Sequence, residues 1–139
     1  TGALPVLMKD PICLNGARKF DGGITDPIPV KKAYEMGAKE IVIIRTYEQG
    51  FVRKIKLENY IAALATRTYP KISQALKTNA AIYNAALEFI NNPPNDCKII
   101  QICPPERLKT KRATIDHDTL KADYKIGVNE GLKYLKNIS

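Results

Sequence analysis

Serine is nearly missing from this chain: Ser73 and Ser139 are the only two in 139 residues, and neither lies between glycines. A serine hydrolase presents its nucleophile on a sharp strand-to-helix turn, in a G-x-S-x-G setting. This stretch of polypeptide therefore carries no such nucleophile of its own. Cysteine is scarce as well. Cys13, Cys97 and Cys103 are odd in number and show no C-x-x-C spacing, which argues against a disulfide framework or a zinc site and fits reduced thiols in a cytoplasmic protein. The single histidine, His117, stands between Asp116 and Asp118. Adjacent side chains at a helix start diverge, so D-H-D reads as a helix-cap region rather than part of a triad, and it is a poor metal set because ligands converge from spaced positions. No cofactor or metal is expected. No apolar run reaches the length of a membrane span, and no signal-like start is visible.

Negative charge is also in deficit. There are 22 basic against 14 acidic residues, a formal +8. Such an excess favours acidic partners in general: phosphates, anionic lipid headgroups, nucleic acid. The densest cluster, Arg107, Lys109, Lys111 and Arg112, holds no aromatic residue on which a base would stack, and no nucleic-acid motif accompanies it. Nucleic acid is not the expected partner. A solvated basic face and contact with an anionic membrane surface remain.

At 45% hydrophobic the chain can bury one core. Asn15-Gly16 is a strong turn signal, making Ala17–Phe20 a returning strand that presents Asp21. Pro29 suits the start of a short helix with Val30, Ala33, Tyr34 and Gly37 on one face, and Gly37 suits its stop. Ile41–Ile44 is a continuous β-branched run, as in a strand buried on both faces of a parallel sheet. Leu57, Ile61 and Leu64 form one helical apolar stripe. Ile72 and Leu76 form another, and Tyr83, Ala86, Leu87 and Ile90 a third. Cys97–Cys103 is a further buried-strand candidate. Arg107–Thr114 reads as a basic loop. A final helix, capped by Asp116 or Asp118, would bury Leu120, Tyr124, Val128, Gly131 and Leu135. Alternating strands and helices indicate an α/β domain. An uncovered sheet edge in such a piece would invite self-association.

The most informative segment is Arg18–Thr46. A β-like run ends in Asp21, and Gly22 and Gly23 follow at once. The glycines can adopt φ > 0 and keep Cβ atoms away, letting a reacting group and backbone N–H donors approach the carboxylate. That order places Asp21 at the C-terminal end of a strand, where α/β sheets keep their chemistry. Asp is a weak base in water and gains strength where its charged form is desolvated. The alternative is that Asp21 organises a Gly-Gly turn through its own backbone. Asp26 would cap the Pro29 helix or sit beside Asp21. Cys13 and Ser73 lack the surroundings of an activated nucleophile.

The D-G-G of Asp21–Gly23, the helix opening at Ile28-Pro29-Val30 and the G-A-x-x-I-V-I-I of Gly37–Ile44 resemble the second half of patatin-like phospholipases, in their bacterial, esterase-like branch. Thr1–Pro5 (T-G-A-L-P), Glu88–Pro94 (E-F-I-N-N-P-P) and Ile102–Leu108 (I-C-P-P-E-R-L) are similar to other parts of that branch, so the resemblance spans nearly the whole chain. It implies the later strands and helices of a layered, mostly parallel sheet, with residues 1–50 in the catalytic domain and 51–139 as a helical and α/β extension packed on it. It further implies a C-terminal fragment of a serine lipid acyl hydrolase with a Ser–Asp dyad and a phospholipid or other lipid ester as substrate. Asp21 would then be the catalytic base, with Gly22, Gly23 and Asp26 shaping its site. The dyad needs no cofactor, and the isolated fragment would be inactive because its nucleophile and oxyanion loop lie elsewhere.

Overall fold

Asn15 and Gly16, both in the left-handed region with φ of 52° and 74°, fold the first described residues back on themselves. Their backbone twist matches that of paired strands, so β1 (Ile12–Leu14) and β2 (Ala17–Lys19) form an antiparallel hairpin with Cys13 opposite Arg18. The computed structural model describes residues 12–55, 57–111 and 113–138. Its remaining elements are a 3-10 turn (Gly22–Ile24), α1 (Val30–Glu35), β3 (Glu40–Ile44), α2 (Leu57–Ala65), α3 (Pro70–Asn91), β4 (Lys98–Ile102) and α4 (His117–Ile138).

The chain divides into two units, Thr1–Met36 with Val52–Asn92, and Gly37–Phe51 with Pro93–Ser139. In the first, α3 is the organiser. Pro70 opens it, where a missing N–H costs nothing. The second and third sequence stripes lie on this one helix, which buries Ala75, Ala80, Tyr83, Ala86, Leu87 and Ile90. Each large apolar side chain so buried contributes about 1.5–3 kcal/mol. The 3-10 turn, α1 and α2 pack against α3. Tyr34 of α1 meets Phe89 of α3 with ring centroids 5.8 Å apart. In the second unit β3 and β4 pair in parallel, Glu40 beside Lys98 through Ile44 beside Ile102, and α4 packs against β4. Lys98 reaches across to Glu40 at 2.8 Å, an exposed pair of small energetic value.

The α/β class holds. The layered, mostly parallel sheet does not: the described strands form two separate two-stranded sheets, one antiparallel and one parallel. β3 is not buried on both faces either, since Ile44 is 79% exposed and Val42 also faces solvent. Two helices turn large apolar residues outward, and for α4 this reverses the expected burial. α2 packs through its small and polar side: Ala63 and Thr66 are buried, Asn59 Nδ2 donates to Leu76 O at 3.3 Å, and Ser73 Oγ of α3 donates to Ala63 O at 2.8 Å. Its stripe of Leu57, Ile61 and Leu64 points outward. α4 does the same, burying Asp123 while Leu120, Tyr124, Val128 and Leu135 are exposed.

Candidate functional site

Asp21 leaves β2 with φ −59° and ψ 130° and caps the 3-10 turn, its Oδ1 accepting the Gly23 N–H at 2.7 Å. The turn closes through Ile24 N–H to Asp21 O at 3.2 Å, and Thr25 and Asp26 both donate their N–H to Gly22 O, at 3.1 and 3.0 Å. The expectation of φ > 0 at Gly22 and Gly23 is not met; among described glycines only Gly16, Gly37 and Gly50 have it. Gly23 is needed for another reason. A Cβ there would stand 3.0 Å from Asp21 Oδ1, so its absence lets the carboxylate lie over the turn without being displaced. A Cβ on Gly22 would meet open space.

The turn is also held from behind. Asn79, buried in the apolar face of α3, donates through Nδ2 to Gly23 O at 2.9 Å and Ile24 O at 2.8 Å. Its Oδ1 accepts from Arg53 Nη1 at 2.7 Å, and the Arg53 guanidinium lies 4.1 Å over the Tyr83 ring. Asn84, five residues along α3, pairs with the Arg53 backbone through both amide atoms, each at 2.9 Å. Every polar atom of the Asn79 amide is thereby engaged on fixed partners, so the backbone under Asp21 has little freedom. Just before Asp21, Phe20 packs edge-on against Tyr69 at 5.7 Å.

The result is a carboxylate on a partly buried residue, with Oδ1 fixed by an exposed bond to its own turn and Oδ2 without a hydrogen-bond partner among the described residues. The carboxylate follows an antiparallel hairpin, not the rim of a parallel sheet, which corrects its expected setting. Asp26 does not cap α1: the cap position is Pro29, with no side-chain bond. Asn79 and Arg53 were missed by sequence reasoning. The available signal was a polar residue at a buried helical spacing, Asn79 between Ala75 and Tyr83.

The other candidates resolve into structure. Asp116 Oδ2 accepts the Thr119 N–H at 2.9 Å, the capping role expected at the start of α4, and His117 beside it is exposed. The Thr119 side chain and then its amide hold the Asp116 carboxyl below the ordinary carboxylate range. Ser73, which lacks the setting of a nucleophile in sequence, is half-buried and bonded to α2. Cys103 follows β4; burial raises its thiol pKa despite the nearby Arg45 guanidinium, which disfavours the reactive thiolate. Cys13 is exposed and Cys97 buried. Among the described residues no three His, Cys, Asp or Glu side chains are grouped to hold a metal ion. No described helix is long and apolar enough to cross a membrane.

Comparison with known proteins bears on the family. The chain is 30% identical over 145 residues to "Uncharacterized protein YjjU" of Escherichia coli (strain K12), a match covering 99% of this chain and 39% of that protein. The chain thus spans about two fifths of the length of the curated relative it matches. No solved structure matches it. Residues 69–139, just over half the chain, match a family described as "Domain of unknown function (DUF6363)". No patatin-like family is found, which overturns the resemblance drawn from Asp21–Gly23 and its surroundings; the Thr1–Pro5 part of that resemblance lies outside the described residues. The chain belongs to the DUF6363 family.

Proposed function

We propose that this chain is the part of a longer acyl-ester hydrolase that carries the general base, Asp21. The nucleophilic serine and the oxyanion donors would be supplied by polypeptide outside it. The observation that carries the reading is the carboxylate itself. It belongs to a partly buried residue, is anchored through Oδ1 to Gly23 N–H, and is seated on a turn that Asn79 fixes from a buried position. A base held in this way needs little reorganisation when a hydroxyl approaches Oδ2. In the reaction, Asp21 takes the serine proton as the serine oxygen bonds to the ester carbonyl. The proton then passes to the departing alcohol, and water, activated by the same carboxylate, releases the acid. The substrate would be a lipid ester met at the cytoplasmic face of a membrane.

The experiment compares hydrolysis of a p-nitrophenyl ester by the intact protein and by this 139-residue chain. The intact protein should turn over and the chain alone should not. Turnover by the chain alone, or none by the intact protein, contradicts the proposal.

A second reading has its own support: a non-catalytic basic module that binds anionic lipid surfaces. The +8 charge favours it, as does the outward apolar stripe of α2 with basic residues nearby in sequence at both ends.

A further inference from the structure

An amphipathic helix ordinarily turns its large apolar residues toward its own core. α2 turns them away. Leu57, Tyr60, Ile61 and Leu64 fall within an arc of about 100° at 3.6 residues per turn, and all four are more than half exposed. Val52 and Ile55, in the extended segment leading into the helix, are more than half exposed as well. The opposite side of α2 is occupied: Asn59 Nδ2 donates to Leu76 O, and the buried Ala63 accepts at its O from Ser73 Oγ. Helix α2 therefore cannot bury the stripe by rolling without abandoning those contacts with α3.

Charge selects the occupant. Lys54 before the helix and Arg67 and Lys71 after it are exposed, whereas α2 itself holds a single acidic residue, Glu58. The unit to which α2 belongs carries eleven Lys and Arg against six Asp and Glu, +5 of the chain's +8. An apolar row with cations at both ends matches the boundary between acyl chains and anionic headgroups: the row enters the hydrocarbon edge while the cations stay among phosphates. The exposed row on α4 is a weaker case, because Asp118 and Glu130 are interspersed with its lysines.

We propose that the Leu57–Tyr60–Ile61–Leu64 face of α2 is the element that docks this chain on an anionic lipid bilayer. The inference rests on the second functional reading and assigns its surface. Docking places α2 in the plane of the interface, with the unit's other cations strengthening attachment at low salt.

The test uses flotation of the 139-residue chain with vesicles of equal parts phosphatidylcholine and phosphatidylglycerol, and of phosphatidylcholine alone. Ile61→Ser combined with Leu64→Ser is the disabling variant; both positions are exposed, and circular dichroism confirms that it folds. The chain has no tryptophan, so Tyr60→Trp supplies a single indole fluorophore on the stripe. The proposal expects salt-sensitive flotation with phosphatidylglycerol only, a fall of about tenfold or more in the double variant, and a blue shift of the indole emission on adding anionic vesicles. Binding that the double variant retains, with no blue shift, leaves the basic-module reading standing and overturns the α2 assignment. No vesicle binding by the parent chain overturns both. A blue shift that grows with protein concentration without vesicles reassigns the stripe to a second copy of the chain and also overturns the proposal.

Discussion

Replacing Asn79 by Leu should cost about 3 kcal/mol, read as a lowered midpoint in urea unfolding. The carbonyls of Gly23 and Ile24, the second of them buried, would lose a donor and Arg53 an acceptor. A loss under about 0.5 kcal/mol would show that the turn is held by other means. Gly23→Ala acts more locally. Its Cβ would crowd Asp21 Oδ1, so the carboxylate must shift by a few tenths of an ångström and weaken the Gly23 N–H bond, a loss of at most about 1 kcal/mol. Activity of the intact protein should fall more steeply than stability, because the orientation of the base is what changes. Equal small effects on both would assign the glycine to turn formation alone. At this scale the sequence was partly legible. Asp21 and its glycines announced a tight turn. Asn79, separated from that turn by more than fifty residues, announced nothing except polarity at a buried spacing. The D-G-G motif misled about family because a carboxylate capping a glycine turn answers a local backbone need that many unrelated chains share.

At the scale of elements, helix and strand positions followed from local periodicity, and α3, β3 and β4 lie where the apolar spacing put them. Periodicity gives the angle of a stripe around a helix but not which side has a neighbour. That is why α4 was expected to bury its apolar stripe and does not. The buried side of α4 is marked instead by Asp123, which accepts the Thr110 N–H at 2.6 Å and ties the basic loop to the helix. Thr110 holds the Asp123 carboxyl below its ordinary value of 3.8, through its hydroxyl and then its amide. Of the two groups only the amide makes a hydrogen bond to Asp123, the buried Thr110 hydroxyl having no partner in hydrogen-bonding geometry among the described residues. A carboxyl depressed by folding contributes stability in full above its unfolded value and loses it as pH falls through the lower folded value. The loop should therefore stay docked at pH 5 and release below about pH 4, seen as a shift of the Thr110 amide resonance. Asp123→Asn should abolish that titration. A Thr110 amide that moves near neutral pH, or titrates unchanged in the variant, would contradict the assignment.

For the whole molecule, a parallel sheet was expected, but neither the interleaving of the two units along the chain nor the register of β3 against β4 was readable from sequence. Glu40 meets Lys98 across nearly sixty residues, a contact that no local pattern encodes. The open parallel pair has a physical consequence. Parallel sheets are normally covered on both faces, yet Val42 and Ile44 lie exposed, and neither strand has a second neighbour among the described strands. Such edges recruit other strands. The chain alone should self-associate, with a sedimentation mass that rises with concentration and falls when Ile44 is replaced by Lys. A monomer mass independent of concentration would contradict this.

The most direct measurement is ester hydrolysis by the intact protein with Asp21→Asn. Asparagine keeps the shape and the oxygen that accepts the Gly23 N–H, so the turn survives while the capacity to take a proton does not. The account predicts an unchanged thermal midpoint and a fall in kcat of about a hundredfold or more. Hydrolysis at the parent rate by a normally folded Asp21→Asn protein would show that Asp21 only builds its turn.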